Sequence, residues 1–269
     1  MINSHGAERL NGCTTVNYNR SATILSCDLN TVVASDGIPI SFSLYRRGTR
    51  DTVLIICPGF FKSKEAPTFQ QIARVLAENR DVLCMDFRGH GRSGGFYTFS
   101  AREHADLEAV LAFAREHYAH IAVLGFSLGA AIAINTLSRN HERVRGLVTV
   151  SAPCIFEEIE FKVWTPKTIY QGLRRLERGS GCRPGNLFLK KKRTIDHIGS
   201  LQPMPILIIH GERDVIVGVG HSHQLYAAAQ EPKRLEIIEG GNHAEILFRD
   251  NPQGFIRLME GWFSETLGK

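Results

Sequence analysis

No stretch of this sequence approaches the run of about 18 apolar residues that a membrane-crossing helix needs. The opening residues, Met1-Ile2-Asn3-Ser4-His5-Gly6, have neither the basic start nor the apolar core of a secretory signal. Both absences point to a cytoplasmic, unanchored protein. Cysteine is sparse, and Cys13, Cys27, Cys57, Cys84, Cys154 and Cys182 include no Cys-x-x-Cys pair. No zinc or disulfide framework is spelled out, and Cys57 and Cys84 sit in apolar runs where reduced core thiols are expected. A strong excess of one charge is missing too: 32 Lys and Arg against 27 Asp and Glu leave +5 over 269 residues. With no aromatic-interleaved basic motif, nothing calls for a nucleic-acid partner.

What is present is an ordinary soluble composition, 43% hydrophobic, at a length that α/β folds occupy as one domain with one large core. Residues 1–269 are therefore read as a single domain, with residues 155–200 as an inserted cap. Thr31–Ala34 and Ile40–Tyr45 flank Ser35-Asp36-Gly37, a tight-turn signal, and predict an antiparallel hairpin at a sheet edge. Short, continuous apolar runs follow: Thr52–Cys57, Val82–Met85, Ile121–Leu124, Leu147–Val150, Ile206–Ile209 and Leu235–Ile238. Strands apolar on both faces belong to a parallel sheet covered on both sides. Between them Thr68–Asn79, Ala101–His117, Leu128–Arg139, Gly220–Ala229 and Pro252–Leu267 carry apolar positions three or four apart with charged residues in the gaps, the helical pattern. Ile155 to Ser200 breaks this alternation. It holds no parallel-strand run, a helix-start signal at Thr165-Pro166, and many basic residues, including Lys162, Lys167, Arg174, Arg175, Arg178, Arg183 and the run Lys190–Arg193.

Gly125-Phe126-Ser127-Leu128-Gly129 matches G-x-S-x-G, and its setting gives it weight: a buried-strand run precedes it and the apolar helix Ala130-Ala131-Ile132-Ala133-Ile134 follows. A serine on a sharp strand-to-helix turn exposes its hydroxyl, and flanking glycines relieve the crowding. The helix amino terminus then places the Leu128 N–H to donate to an anion forming at the serine. A serine needs a base. Of eleven histidines, His243, in Gly240-Gly241-Asn242-His243-Ala244-Glu245, combines a glycine-rich loop with the rim where open parallel sheets bind ligands. His210 reads as a loop-packing residue, His90 as structural, and His221 with His223 as a pair lacking a third metal ligand. The imidazole in turn needs an acceptor. Asp214 is the first choice, with Glu212 and Glu245 as fallbacks. Gly59, in the loop Cys57-Pro58-Gly59-Phe60-Phe61, lets the Phe60 N–H turn toward the serine as a second donor.

Taken together, Pro58-Gly59-Phe60, Asp86-Phe87-Arg88-Gly89-His90-Gly91-Arg92-Ser93, Gly125–Gly129, His210-Gly211-Glu212-Arg213-Asp214 and Gly241-Asn242-His243 resemble the α/β-hydrolase superfamily, in its esterase, thioesterase and serine-aminopeptidase-like branch. The resemblance implies an eight-stranded, mostly parallel sheet with helices on both faces. It also implies Ser127 as nucleophile, His243 as base, Asp214 as its partner, and the Phe60 and Leu128 amides as oxyanion hole, with no metal and no organic cofactor. The implied substrate is a small-molecule acyl ester or thioester. Non-ester chemistry on the same fold, perhydrolysis or carbon–carbon cleavage, and a non-catalytic binding protein are the alternatives. Where many relatives begin the oxyanion loop with His-Gly, this chain has Pro58-Gly59, which removes a side chain that often props the loop. The basic insertion would suit an acyl donor bearing phosphates, such as a coenzyme A thioester, or a solvated face.

Overall fold

The computed structural model describes residues 25–48, 50–156 and 177–267. Eight strands form one sheet: β1 (Ser26–Val33), β2 (Pro39–Arg46), β3 (Thr52–Cys57), β4 (Asp81–Met85), β5 (His120–Phe126), β6 (Val144–Val150), β7 (Ile206–Gly211) and β8 (Lys233–Ile238). Their order across the sheet is β1-β2-β4-β3-β5-β6-β7-β8. The hairpin β1–β2 is antiparallel and lies at one edge, β2 meets β4 antiparallel, and every later pairing is parallel.

The continuous apolar runs follow from coverage on both faces. In β3, Val53, Ile55 and Cys57 point into one helical layer while Leu54 and Ile56 point into the other; in β5, Ile121 and Val123 oppose Ala122, Leu124 and Phe126 in the same way. Each such side chain, fully buried, contributes about 1.5–3 kcal/mol by leaving water. Among the described residues the first layer holds α2 (His104–His117), α3 (Leu128–Leu137) and α4 (Gly220–Ala228); the second holds α1 (Pro67–Leu76), α5 (Ile246–Asp250) and α6 (Pro252–Leu267). Two helices differ from expectation. All ten residues of α3 are buried, because it lies between the sheet and α2, and its apolar character extends all round rather than along one stripe. The short α5 was not expected from the pattern, since five residues do not span two turns of the helical period.

The loop after β4 is pinned by buried charge. Arg88, 3% exposed, donates to the Asp106 carboxylate through its backbone N–H (2.8 Å), Nε (2.8 Å) and Nη2 (2.6 Å), and its Nη1 reaches Asp36 in the β1–β2 turn at 2.6 Å. One side chain thus ties the loop to α2 and to the edge hairpin.

The expected cap falls partly on residues 157–176, outside the described residues, and with it Thr165-Pro166, Lys162, Lys167, Arg174 and Arg175. The described return, residues 177–185, runs beside the loop after β4: the Arg183 N–H donates to Gly89 O (2.7 Å), the Tyr97 N–H to Arg183 O (2.8 Å) and the Gly185 N–H to Tyr97 O (2.8 Å). Farther on, Ile198 and Leu201 are fully buried in the first core layer. Among the described residues no helix is long and apolar enough to cross a membrane.

Removing Asp106 leaves the Arg88 guanidinium buried without its main partner, a change of the kind that costs about 3–5 kcal/mol. Asp106→Ala should lower the urea midpoint accordingly, whereas Asp36→Ala, which removes a partly exposed partner, should have a markedly smaller effect.

Candidate active site

Ser127 follows β5 directly and precedes α3 with φ 51° and ψ −120°, a left-handed conformation that a residue with a Cβ adopts only under constraint. The constraint is the packing around the turn. A Cβ on Gly125 would lie 2.4 Å from Ala130 Cα, and one on Gly129 would lie 2.3 Å from Cys57 O and 2.4 Å from Pro58 O. Both glycines are needed because α3 lies hard against β5 and against the end of β3. The Ser127 hydroxyl is thereby presented at the carboxyl rim of the central strand.

His243 and Asp214 arrive at the same rim from the ends of β8 and β7. His243 Nε2 is 3.0 Å from Ser127 Oγ, and His243 Nδ1 is 2.7 Å from Asp214 Oδ2. The other carboxylate oxygen of Asp214 accepts the Ile216 and Val217 N–H groups, each at 2.9 Å. Burial by itself would raise the Asp214 pKa, but the positive charge available on His243 and hydrogen bonds from His210 and His243 outweigh it and hold the carboxyl well below the usual range. A chain of hydroxyl, imidazole and buried carboxylate can pass the serine proton to Nε2 and stabilise the resulting imidazolium. The loop after β3 passes close by: a Cβ on Gly59 would lie 3.1 Å from Ser127 Cβ. Among the described residues the Phe60 and Leu128 amides donate to no other backbone group.

A family model described as the alpha/beta hydrolase fold matches residues 52–176. The esterase Pf2001 of Pyrococcus furiosus superposes with a TM-score of 0.73, at 20% identity, over 98% of this chain and 99% of that one. The chain has the α/β-hydrolase fold. The esterase RhEst1 of Rhodococcus sp. ECU1013 gives a TM-score of 0.73 at 20% identity, covering 88% of this chain and 99% of that one. In sequence, the uncharacterized protein YfhR of Escherichia coli (strain K12) is 27% identical over 172 residues, 62% of this chain and 54% of YfhR. The match thus spans about half the length of that relative.

Within this α/β-hydrolase fold the remaining candidates have other partners. His210 is fully buried, with its ring nitrogens on Ser222 Oγ and, at 2.8 Å, the Val217 carbonyl, and its Nε2 also lies 3.4 Å from Asp214 Oδ2, so it backs the carboxylate and does not face Ser127. Glu212 accepts the Gly240 N–H at 2.9 Å and so shapes the turn leading to His243. Glu245 pairs with Lys62 at 3.1 Å, and Lys62 also reaches Glu177 at 3.6 Å. His221 lies 3.0 Å from Cys154 Sγ, and among the described residues no group of three or more His, Cys, Asp or Glu side chains is placed to hold a metal ion. Sequence reasoning missed Ser151, which follows β6 with φ 54° and whose Oγ accepts the Ala244 N–H at 3.0 Å, steadying the His243 loop. Its only signal was its place directly after an apolar run. The reasoning also missed Lys62, which links the loop after β3 to the loop after β8.

The depressed Asp214 pKa sets a pH dependence. An unfolded aspartate titrates near pH 3.9, so the stabilisation from Asp214 is fully present above that pH and is lost as the pH falls toward the folded-state value. Chemical denaturation at a series of pH values should show wild type losing stability more steeply between about pH 4 and pH 2 than Asp214→Asn.

Proposed function

We propose that this chain is a serine hydrolase that cleaves a carboxylic ester or thioester through an acyl-enzyme on Ser127. The observation that carries the reading is the unbroken hydrogen-bonded line from Ser127 Oγ through the His243 ring to Asp214 Oδ2, at 3.0 and 2.7 Å. The esterase neighbours Pf2001 and RhEst1 share the fold and lend it support.

In the first half-reaction Ser127 Oγ bonds to the substrate carbonyl carbon while its proton moves to His243 Nε2, with Asp214 stabilising the imidazolium. The carbonyl π electrons go to the oxygen, which takes hydrogen bonds from the Phe60 and Leu128 amides. Collapse of this intermediate breaks the bond to the leaving oxygen or sulfur, and His243 returns the proton to that group. In the second half-reaction His243 deprotonates water, which attacks the acyl carbon, and the carboxylic acid leaves as Ser127 recovers its proton. We take residues 155–200 as a cap within one domain, and its described return, residues 177–185 beside the loop after β4, as the part that limits which acyl and leaving groups enter.

The test is a p-nitrophenyl ester series from acetyl to palmitoyl, with fluorophosphonate labelling in parallel. Wild type should turn over esters and label at Ser127, and Ser127→Ala should lose labelling and about 10⁴-fold or more of kcat while keeping its circular dichroism spectrum. Labelling without ester turnover would shift the reading to non-ester chemistry, and neither labelling nor turnover would favour a binding protein. An anionic thioester whose turnover falls steeply with salt, beside a neutral ester that does not respond, would assign the exposed basic residues of the insertion to the leaving group.

A further inference from the structure

We propose that His90 is a positioning residue for the oxyanion loop: its ring accepts the Phe61 N–H and so fixes the Phe60–Phe61 peptide, the neighbour of the Gly59–Phe60 peptide whose N–H is offered to the oxyanion. The inference rests on the reading of Phe60 given above and adds a residue to it.

Pro58 contributes neither a side-chain hydrogen bond nor a backbone N–H to its own loop; within the loop the Lys62 N–H donates to the Gly59 carbonyl at 3.2 Å, and the Phe61 peptide next to it is held from outside. His90, 1% exposed, belongs to the turn after β4 and faces the loop. Its Nε2 is 3.1 Å from the Phe61 N, and its Nδ1 is 3.2 Å from the Arg88 carbonyl oxygen. A backbone N–H only donates and a carbonyl only accepts, so these two partners select one tautomer, Nδ1–H with a lone pair on Nε2. Only the neutral ring satisfies both. Burial lowers its pKa to about 4, opposed by the Arg88 carbonyl and aided by the nearby Arg183 charge, so the ring is neutral across the physiological range.

The ring cannot easily turn away. Tyr97 stands edge-on to it at 4.5 Å and Phe60 at 6.2 Å, while Tyr97 and Phe60 stack on each other at 5.5 Å. The residue it holds needs holding: Phe61 has φ 68°, a backbone conformation that a residue with a Cβ adopts only under constraint. The peptide groups of Phe61 are gripped from two directions, the N–H by His90 and the carbonyl by the Gly181 N–H at 2.9 Å. Behind His90 stands Arg88, whose carbonyl fixes the tautomer and whose side chain is anchored on Asp106. A residue present only to fill space would need none of this lone-pair geometry.

The substitutions that separate the two roles are His90→Leu, which fills the space without an acceptor, and His90→Gln, whose Oε1 can accept. On p-nitrophenyl butyrate, His90→Leu should lower kcat about 10–100-fold with KM within about twofold, and His90→Gln should recover most of the loss. The rate ratio between that ester and its thiono analogue should fall in His90→Leu, because a loosened hole no longer favours oxygen. Amide hydrogen exchange should show the Phe61 N–H losing protection in His90→Leu and regaining it in His90→Gln. Nitrogen NMR of the wild-type ring should show Nδ1–H with bare Nε2 at neutral pH, a reading independent of how any variant folds.

A folded His90→Leu with unchanged kcat and Phe61 protection would overturn the inference. So would an Nε2–H tautomer in wild type, or kcat and KM falling together without rescue by Gln. Wild type that neither labels nor turns over esters would overturn the proposed function instead, and Phe61 exchange would still decide whether His90 holds the loop.

Discussion

The close approach of α3 to the carboxyl end of β3 is the constraint on which the rim depends. With Gly129 seated within van der Waals reach of the Cys57 and Pro58 carbonyls, the helix amino terminus has one place to begin, directly after β5. The chain can meet it only by taking Ser127 into the left-handed region. The same approach fixes the loop after β3 beside the serine. Close packing of one helix on two neighbouring parallel strands therefore determines where the hydroxyl and the adjacent amides stand relative to each other.

Buried polar groups carry that placement outward. Asp214 is held by two backbone N–H groups before it meets His243, so the imidazole binds a carboxylate whose own orientation is already set. On the other side Arg88, locked to Asp106, presents its carbonyl to His90 and the ring presents its lone pair to Phe61. In both cases a charged group fixed by several bonds orients a histidine, and the histidine orients an atom at the rim.

The parallel strands were legible because burial on both faces leaves unbroken apolar runs, as in Val53–Cys57 and Ile121–Phe126. The order Ser127, Asp214, His243 was legible because each follows such a run, and the structure brings the three side chains into hydrogen-bonding distance. The α3 pattern was harder to read: a helix enclosed on all sides loses the polar stripe that marks amphipathic ones. Lys62 and the acceptor role of His90 left no local trace, and Ser151 left only its place after an apolar run, because each is defined by a partner 29 to 183 residues distant in sequence. A lone pair on a histidine ring is likewise fixed by its neighbours in space and not by those in the chain.

Of the seven described residues with a Cβ and a positive φ, four, Phe61, Ser127, Ser151 and Ala244, have values of 51–68° and follow strands of the parallel sheet. They cluster just past the ends of β3, β5, β6 and β8. At roughly 1–2 kcal/mol each, they make the rim a loaded layer resting on a relaxed sheet. Part of the packing and hydrogen-bonding free energy around the rim therefore goes into holding these backbone conformations, and a substitution that loosens the packing there relaxes the backbone as well as removing contacts.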